Sequence, residues 1–145
     1  MHAKGKDLDS LAMTEPVLMD NEKPAKELSI APLNKEGFRY NLIKSSDIID
    51  GVYYSTIQVA KALDMEKLWK FGDIVFHPIE KNISWAGEHA SPGPLFPKTF
   101  IDVGKNKLLG VMNGREKSHQ EKDRVIYGMF SIGLFIYDYE KGKID

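Results

Sequence analysis

The stretch VYYSTIQVAKALDMEKLWKFGDIVF, residues 52–76, admits either a helix or a strand–turn–strand unit, and the choice sets the fold. Its opening, VYYSTIQVA, is rich in Val, Tyr, Ile and Thr, side chains that suit a pleated surface. The helical alternative rests on residues 59–69, where Val59, Leu63 and Trp69 are widely spaced apolar positions in a short segment. The strand reading makes DMEKLW a connection and KFGDIVF the next strand. Working outward, ELSIAPL (27–33) and GFRYNLIKSS (37–46) flank the polar tract Asn34-Lys35-Glu36-Gly37, which suits a hairpin. Asp50-Gly51 supplies the next reversal. The expected elements are therefore strands over 27–33, 37–46, 52–60 and 70–76, each joined to the next by a short connection.

Four antiparallel strands in succession make one blade of a propeller, and the rest of the chain repeats the theme. A polar–apolar run, a Leu-Asp or Tyr-Asp pair and a turn occur around Leu8-Asp9, Leu63-Asp64 and Tyr137-Asp138. Such self-similarity marks stacked supersecondary units. In the second half, PLFPKTFIDV (94–103) reads as an innermost strand, Gly104-Lys105-Asn106 as a turn, KLLGVMNGRE (107–116) as the next strand and VIYGMFSIGLFIYDY (125–139) as the third. TEPVLMD (14–20) reads as a fourth strand without its first three. The expected fold is all-β, an incomplete β-propeller, which the resemblance described below makes five-bladed. Residues 1–20 would close one blade, 21–80 form a full blade and 81–145 most of a further one.

Composition narrows the function. The 145 residues are 42% hydrophobic and 28% charged, as in a globular domain. A net charge of −1 gives no electrostatic reason to expect nucleic acid. The absence of cysteine excludes disulfides and thiolate metal sites. No apolar run approaches a membrane span, and MHAKGKDLDS lacks the apolar core of a signal peptide. The compartment stays open, leaning to the cytoplasm. Four scattered histidines form no ligand cluster, and neither a Gly-rich phosphate loop nor a nucleophile elbow is present, so no metal or cofactor is expected.

Two acidic residues stand out. Glu27 and Glu88 each come shortly before a Pro-Leu pair, at the start of an expected innermost strand, and such starts converge on a propeller's axis. Paired carboxylates there can divide glycoside cleavage, one as acid on the leaving oxygen, the other as base or nucleophile. The competing reading is two ordinary loop glutamates. Trp85 and His89 flank Glu88 in a long irregular segment, HPIEKNISWAGEHASPGP, and would suit a sugar subsite. The alternative packs Trp85 beneath the loop and makes His89 a backbone cap. The aromatic run Tyr127, Phe130, Phe135, Tyr137 and Tyr139 reads as sheet packing. REKSHQEKDR (115–124) reads as a solvated hairpin loop, or as a flap over a polar cleft.

LDMEKLWKFGDIVFHP (63–78) resembles the outer half of a blade in the five-bladed β-propeller glycosidases, glycoside hydrolase families 43, 32 and 68 and the family 130 mannoside phosphorylases. KGKDLDSLAMTEPVL (4–18) is similar, with Leu11 or Met13 where a Trp would stand. SPGPLFPKTFIDVGKNKLLGVMNGREKS with VIYGMFSIGLFIYDYEKGKI resembles a late blade of family 130. The resemblance implies action on glycosidic bonds by hydrolysis or phosphorolysis. Glu88 would be the best-matched acid, Glu27 a second carboxylate, Trp85 and His89 substrate contacts and Arg115 a phosphate-side contact. A further carboxylate would have to come from another blade. The expected partners are a carbohydrate and either further copies of the chain or the remainder of a ring. The alternative is a non-catalytic carbohydrate-binding or interaction module of the same architecture.

Overall fold

The computed structural model describes residues 3–13 and 25–145; the expected strand at 14–20 lies outside them. The protein is all-β. A small exposed hairpin, β1 (Ala3–Lys4) with β2 (Ala12–Met13), comes first and touches the body through an ion pair from Lys4 to Glu66. Four strands follow as an antiparallel meander: β3 (Lys26–Ser29), β4 (Arg39–Ile49), β5 (Val52–Ala62) and β6 (Lys70–Phe76). These follow the strands read from residues 27–76, except that the first ends at Ser29 instead of running to Leu33, and residues 63–68 form the turn between β5 and β6, not a helix.

The turns follow from their residues. Asp50 and Gly51 hold φ of 51° and 77°, the paired left-handed geometry of a two-residue hairpin between long strands. Asn34 Oδ1 accepts the N–H groups of Glu36 and Phe38 at 3.1 Å and closes the β3–β4 loop, where Gly37 has φ of 82°. Two of the three repeated aspartates are turn formers too. Asp64 Oδ1 accepts Glu66 N–H at 2.9 Å, and Asp138 Oδ1 accepts those of Glu140 and Lys141 at 3.1 Å.

After β6 come a one-turn helix, α1 (Pro78–Lys81), capped by the His77 ring, and a 3₁₀ turn at Ser84–Ala86. A second meander then forms from β7 (His89–Leu95), β8 (Lys107–Arg115), β11 (Phe130–Asp138) and β12 (Lys143–Ile144). Between β8 and β11 an exposed hairpin, β9 (His119–Glu121) with β10 (Arg124–Ile126), projects outward. Two expectations are corrected here. The innermost strand is 89–95, not 94–103, because Pro97 opens a turn in which Phe100 N–H reaches the Pro97 carbonyl. The run 125–139 is broken at 127–129, where the Met129 carbonyl takes the Glu116 N–H, so its first part belongs to the outer hairpin.

The two meanders are joined in one eight-stranded sheet, ordered β12-β11-β8-β7-β5-β4-β3 with β6 attached to β5. The β5–β7 link is a single parallel bridge, Ser55 to His89. No closed propeller is seen among the described residues. The meanders instead share one core. Ala31, Leu42, Ile57, Val59 and Phe76 from the first pack with Ala86, Ala90, Met112, Phe135 and Tyr137 from the second. Burial of the larger of these side chains contributes roughly 1.5–3 kcal/mol apiece. The Tyr137 hydroxyl crosses between the meanders and donates to the Tyr40 carbonyl at 2.5 Å. A second cluster, Ile43, Ala60, Ala62 and Trp69, fills the far side of β4 and β5.

Candidate functional site

The site is built where β3 of the first meander lies beside β7 of the second, a junction marked by a hydrogen bond from the Ser29 hydroxyl to the Gly93 carbonyl. Register decides which side chains meet. His89, Arg115 and Phe130 are direct neighbours across β7, β8 and β11, so they share one face of the sheet. The His89 ring meets Phe130 edge-to-face at 5.6 Å between centroids. The Arg115 guanidinium lies 5.2 Å from the Tyr127 ring centre and 5.7 Å from that of Phe130.

Glu88 sits immediately before β7, with its backbone bonded to both flanking strands: Ser55 N–H reaches its carbonyl and its own N–H reaches the Arg115 carbonyl. Its side chain is 11% exposed. Arg115 Nη2 donates to Glu88 Oε2 at 2.6 Å, and Ser118 Oγ donates to Oε1 at 2.7 Å. Burial works to raise the carboxyl pKa, but the Ser118 and Arg115 hydrogen bonds and the Arg115 charge outweigh it, and Glu88 is held below the ordinary carboxylate range. Arg115 Nε is buried and has no partner.

Glu27 occupies a β-bulge in β3, between the paired residues Lys26 and Leu28. Its φ is 51°, a left-handed conformation uncommon for a non-glycine residue, and bulges of this kind re-aim a side chain. Lys44 Nζ lies 3.4 Å from Glu27 Oε1. Partial burial would raise this carboxyl as well, but a hydrogen bond with Ser91 and the Lys44 ammonium together keep it below its usual value. His89 feels both carboxylates. Burial pushes its pKa down to about 4, Lys44 and Arg115 act in the same direction, and Glu27 and Glu88 oppose them. At neutral pH the imidazole is uncharged.

The structure thus brings Glu27, Glu88, His89 and Arg115 into one electrostatic neighbourhood, and it sets Trp85 apart. A Cβ built at Gly114 or Gly133 would meet the indole at 2.4 and 2.0 Å, so Trp85 lies flat over these two glycines. They face the core side of the sheet, opposite to His89 and Arg115. Adjacency in sequence to Glu88 therefore does not place Trp85 beside its carboxylate, and the packing alternative describes its position. The aromatic run divides in the same way: Phe135 and Tyr137 are buried, whereas Tyr127 and Phe130 are exposed and flank Arg115.

Lys44, Ser91, Ser118 and Phe130 complete the neighbourhood, although Phe130 reads from the sequence only as sheet packing and Ser118 only as part of a polar loop. Only the alternation in FSIGLFIYD, which turns Phe130 outward and Phe135 inward, could have pointed to one of them. The surroundings are open: the cavity beside the cluster, lined by Lys26, Lys44, Ser45 and Tyr53, holds about 100 Å³, small against an enclosed ligand pocket. A larger groove of about 410 Å³ between Tyr54, Pro78 and Lys117 contains none of the five predicted residues. Among the described residues, no group of three His, Asp or Glu could hold a metal ion, and no helix is long and apolar enough to cross a membrane. No family model, curated protein or solved structure matches the chain.

Proposed function

We propose that this is a carbohydrate-recognising module of β-propeller-glycosidase type, and that the Glu27–His89–Glu88–Arg115 cluster binds a sugar without cleaving it. The observation that carries the reading is that each carboxylate is paired with a cation, Glu88 with Arg115 at 2.6 Å and Glu27 with Lys44 at 3.4 Å, which favours the ionised form of both. Glycoside cleavage needs one carboxyl held protonated to donate to the leaving oxygen. At this cluster an ionised pair with matched cations accepts hydrogen bonds from hydroxyl groups, and the neutral imidazole can donate or accept one. The exposed Tyr127 and Phe130 rings offer apolar faces to the C–H side of a pyranose. In this reading the two meanders correspond to blade-like units of an incomplete propeller, and Arg115 positions Glu88 as well as facing the ligand.

A second reading, catalysis on glycosidic bonds, is favoured by the left-handed backbone of Glu27, since strained non-glycine residues cluster at reacting sites. There Glu88 or Glu27 would act as base or nucleophile, and the acid would come from a carboxyl outside the cluster. One experiment separates the two. Oligosaccharide binding is titrated by calorimetry alongside an assay for released reducing ends, for the wild-type chain and Glu88→Gln. We expect saturable binding, weakened about tenfold or more by the substitution (~1.4 kcal/mol or more), and no release of sugar. Release that Glu88→Gln abolishes would replace the binding reading with the catalytic one. Absence of binding to any oligosaccharide would remove both.

A further inference from the structure

We infer that the chain self-associates through the free edge of β11, two copies pairing antiparallel about a two-fold axis at Ile132. This stands independently of the carbohydrate reading. Along one side β11 is bonded to β8 over its whole length. On the other side it meets β12 only at Tyr137 and Asp138, extended by Asp145 N–H to the Ile136 carbonyl at 3.0 Å. That last bond fixes the orientation of the rest. Alternate residues of a strand direct their backbone groups to the same side, so Phe130, Ile132 and Leu134 also point theirs away from β8. Among the described residues these groups have no partner.

The side chains agree with the backbone. Ile132 is 76% exposed, and Phe130 and Leu134 are 66% exposed each. The run FSIGLFIY contains no charge and no proline, and β11 pairs with β8 without a register shift. Charges, prolines and bulges are the devices by which solitary edges are kept from pairing. Both ends of the open edge are defined. Asp145 occupies the position beside Ile136, and at the other end β11 begins at Phe130, with residues 127–129 outside any strand.

The edge left between these stops is self-complementary in one register. With the axis at Ile132, Ile132 faces Ile132 of the second copy and Phe130 faces Leu134, so every outward-pointing residue gains a pair. Each such pair exchanges two bonds, about six in all. Shifting the axis toward Gly133 drives Phe130 of the second copy onto Asp145. Shifting it toward Ser131 sets Leu134 against Gly128, which lies outside β11. A second copy fits this edge better than a foreign strand because length, direction and register all match the edge itself. The apolar stripes then lie side by side and cover one another, with Phe130, at the candidate site, walled by Leu134 of the second copy.

The chain has no cysteine, so a single introduced thiol reports its own distance to its symmetry mate. Ile132→Cys and Leu134→Cys are oxidised with diamide at micromolar concentration, and covalent dimer is measured on denaturing gels. The pairing places the two copies of position 132 about 5.5 Å apart at Cα, within disulfide reach, and the two copies of position 134 well beyond it. We expect severalfold more covalent dimer from Ile132→Cys. Sedimentation should give a concentration-dependent dimer for the wild-type chain and a monomer for Ile132→Lys, whose outward side chain leaves the β8 ladder intact, with unchanged circular dichroism. A wild-type monomer, equal cross-linking at both positions, or a dimer that survives Ile132→Lys would overturn the inference.

Discussion

At the scale of single residues, the candidate site is an arrangement of opposed charges in which no member is left as it would be in water. Glu88 loses solvent but gains Arg115 and Ser118; Glu27 loses solvent but gains Lys44 and Ser91. Trp85 illustrates the reverse case, a residue whose chemistry suits a ligand and whose position serves packing. Its indole replaces the side chains that Gly114 and Gly133 lack, so these glycines act as a bed for the ring rather than as flexible points. Gly133→Ala forces a Cβ into the ring and should destabilise the protein by about 1–3 kcal/mol. Urea unfolding measures this as a lower midpoint with an unchanged slope. Full retention of stability would mean that Trp85 does not rest on the sheet as described.

At the scale of elements, the turns dictate the register of the first meander. Asp50 and Gly51 both hold positive φ, so the β4–β5 ladder from Arg39–Ala62 to Ile49–Val52 depends on a geometry that Gly supplies cheaply. Gly51→Val should cost about 1–2 kcal/mol, read as a lower thermal midpoint, because a β-branched residue resists the left-handed region; an unchanged midpoint would show that the hairpin tolerates another turn. The first meander was legible for the same reason, since Asp50-Gly51 and Asn34 through Gly37 are turn residues between β-branched and aromatic runs. β7 was not legible at its start. Residues 89–93 read as part of the irregular segment before the strand expected from Pro94, yet Pro92 and Pro94 are accommodated within β7 because beyond the Ser55–His89 bridge it pairs only with β8. The site was half legible. Glu27 and Glu88 could be singled out as acidic residues at expected strand entries, His89 as the neighbour of Glu88 and Arg115 only through the family resemblance, but Lys44 and Ser91 join them only through the β3–β7 approach, which no local pattern encodes.

At the scale of the whole molecule, the shared core explains why the site exists. Packing of Leu42, Ile57 and Val59 against Met112, Phe135 and Tyr137 brings the two meanders together, and Glu27 thereby comes within reach of His89. His89 is the group through which both meanders are felt, and its titration by nuclear magnetic resonance tests the assembly directly. Its folded pKa lies below the unfolded value, so the unfolded chain binds more protons between the two. Stability attributable to His89 is intact above about pH 6.5 and falls as the pH drops toward about 4. The imidazole should titrate near 4 in the wild-type chain, and lower still in Glu27→Gln and in Glu88→Gln, since each substitution removes a charge that favours the protonated ring. A midpoint near the ordinary histidine value, unmoved by either substitution, would contradict the claim that the two meanders meet at this residue.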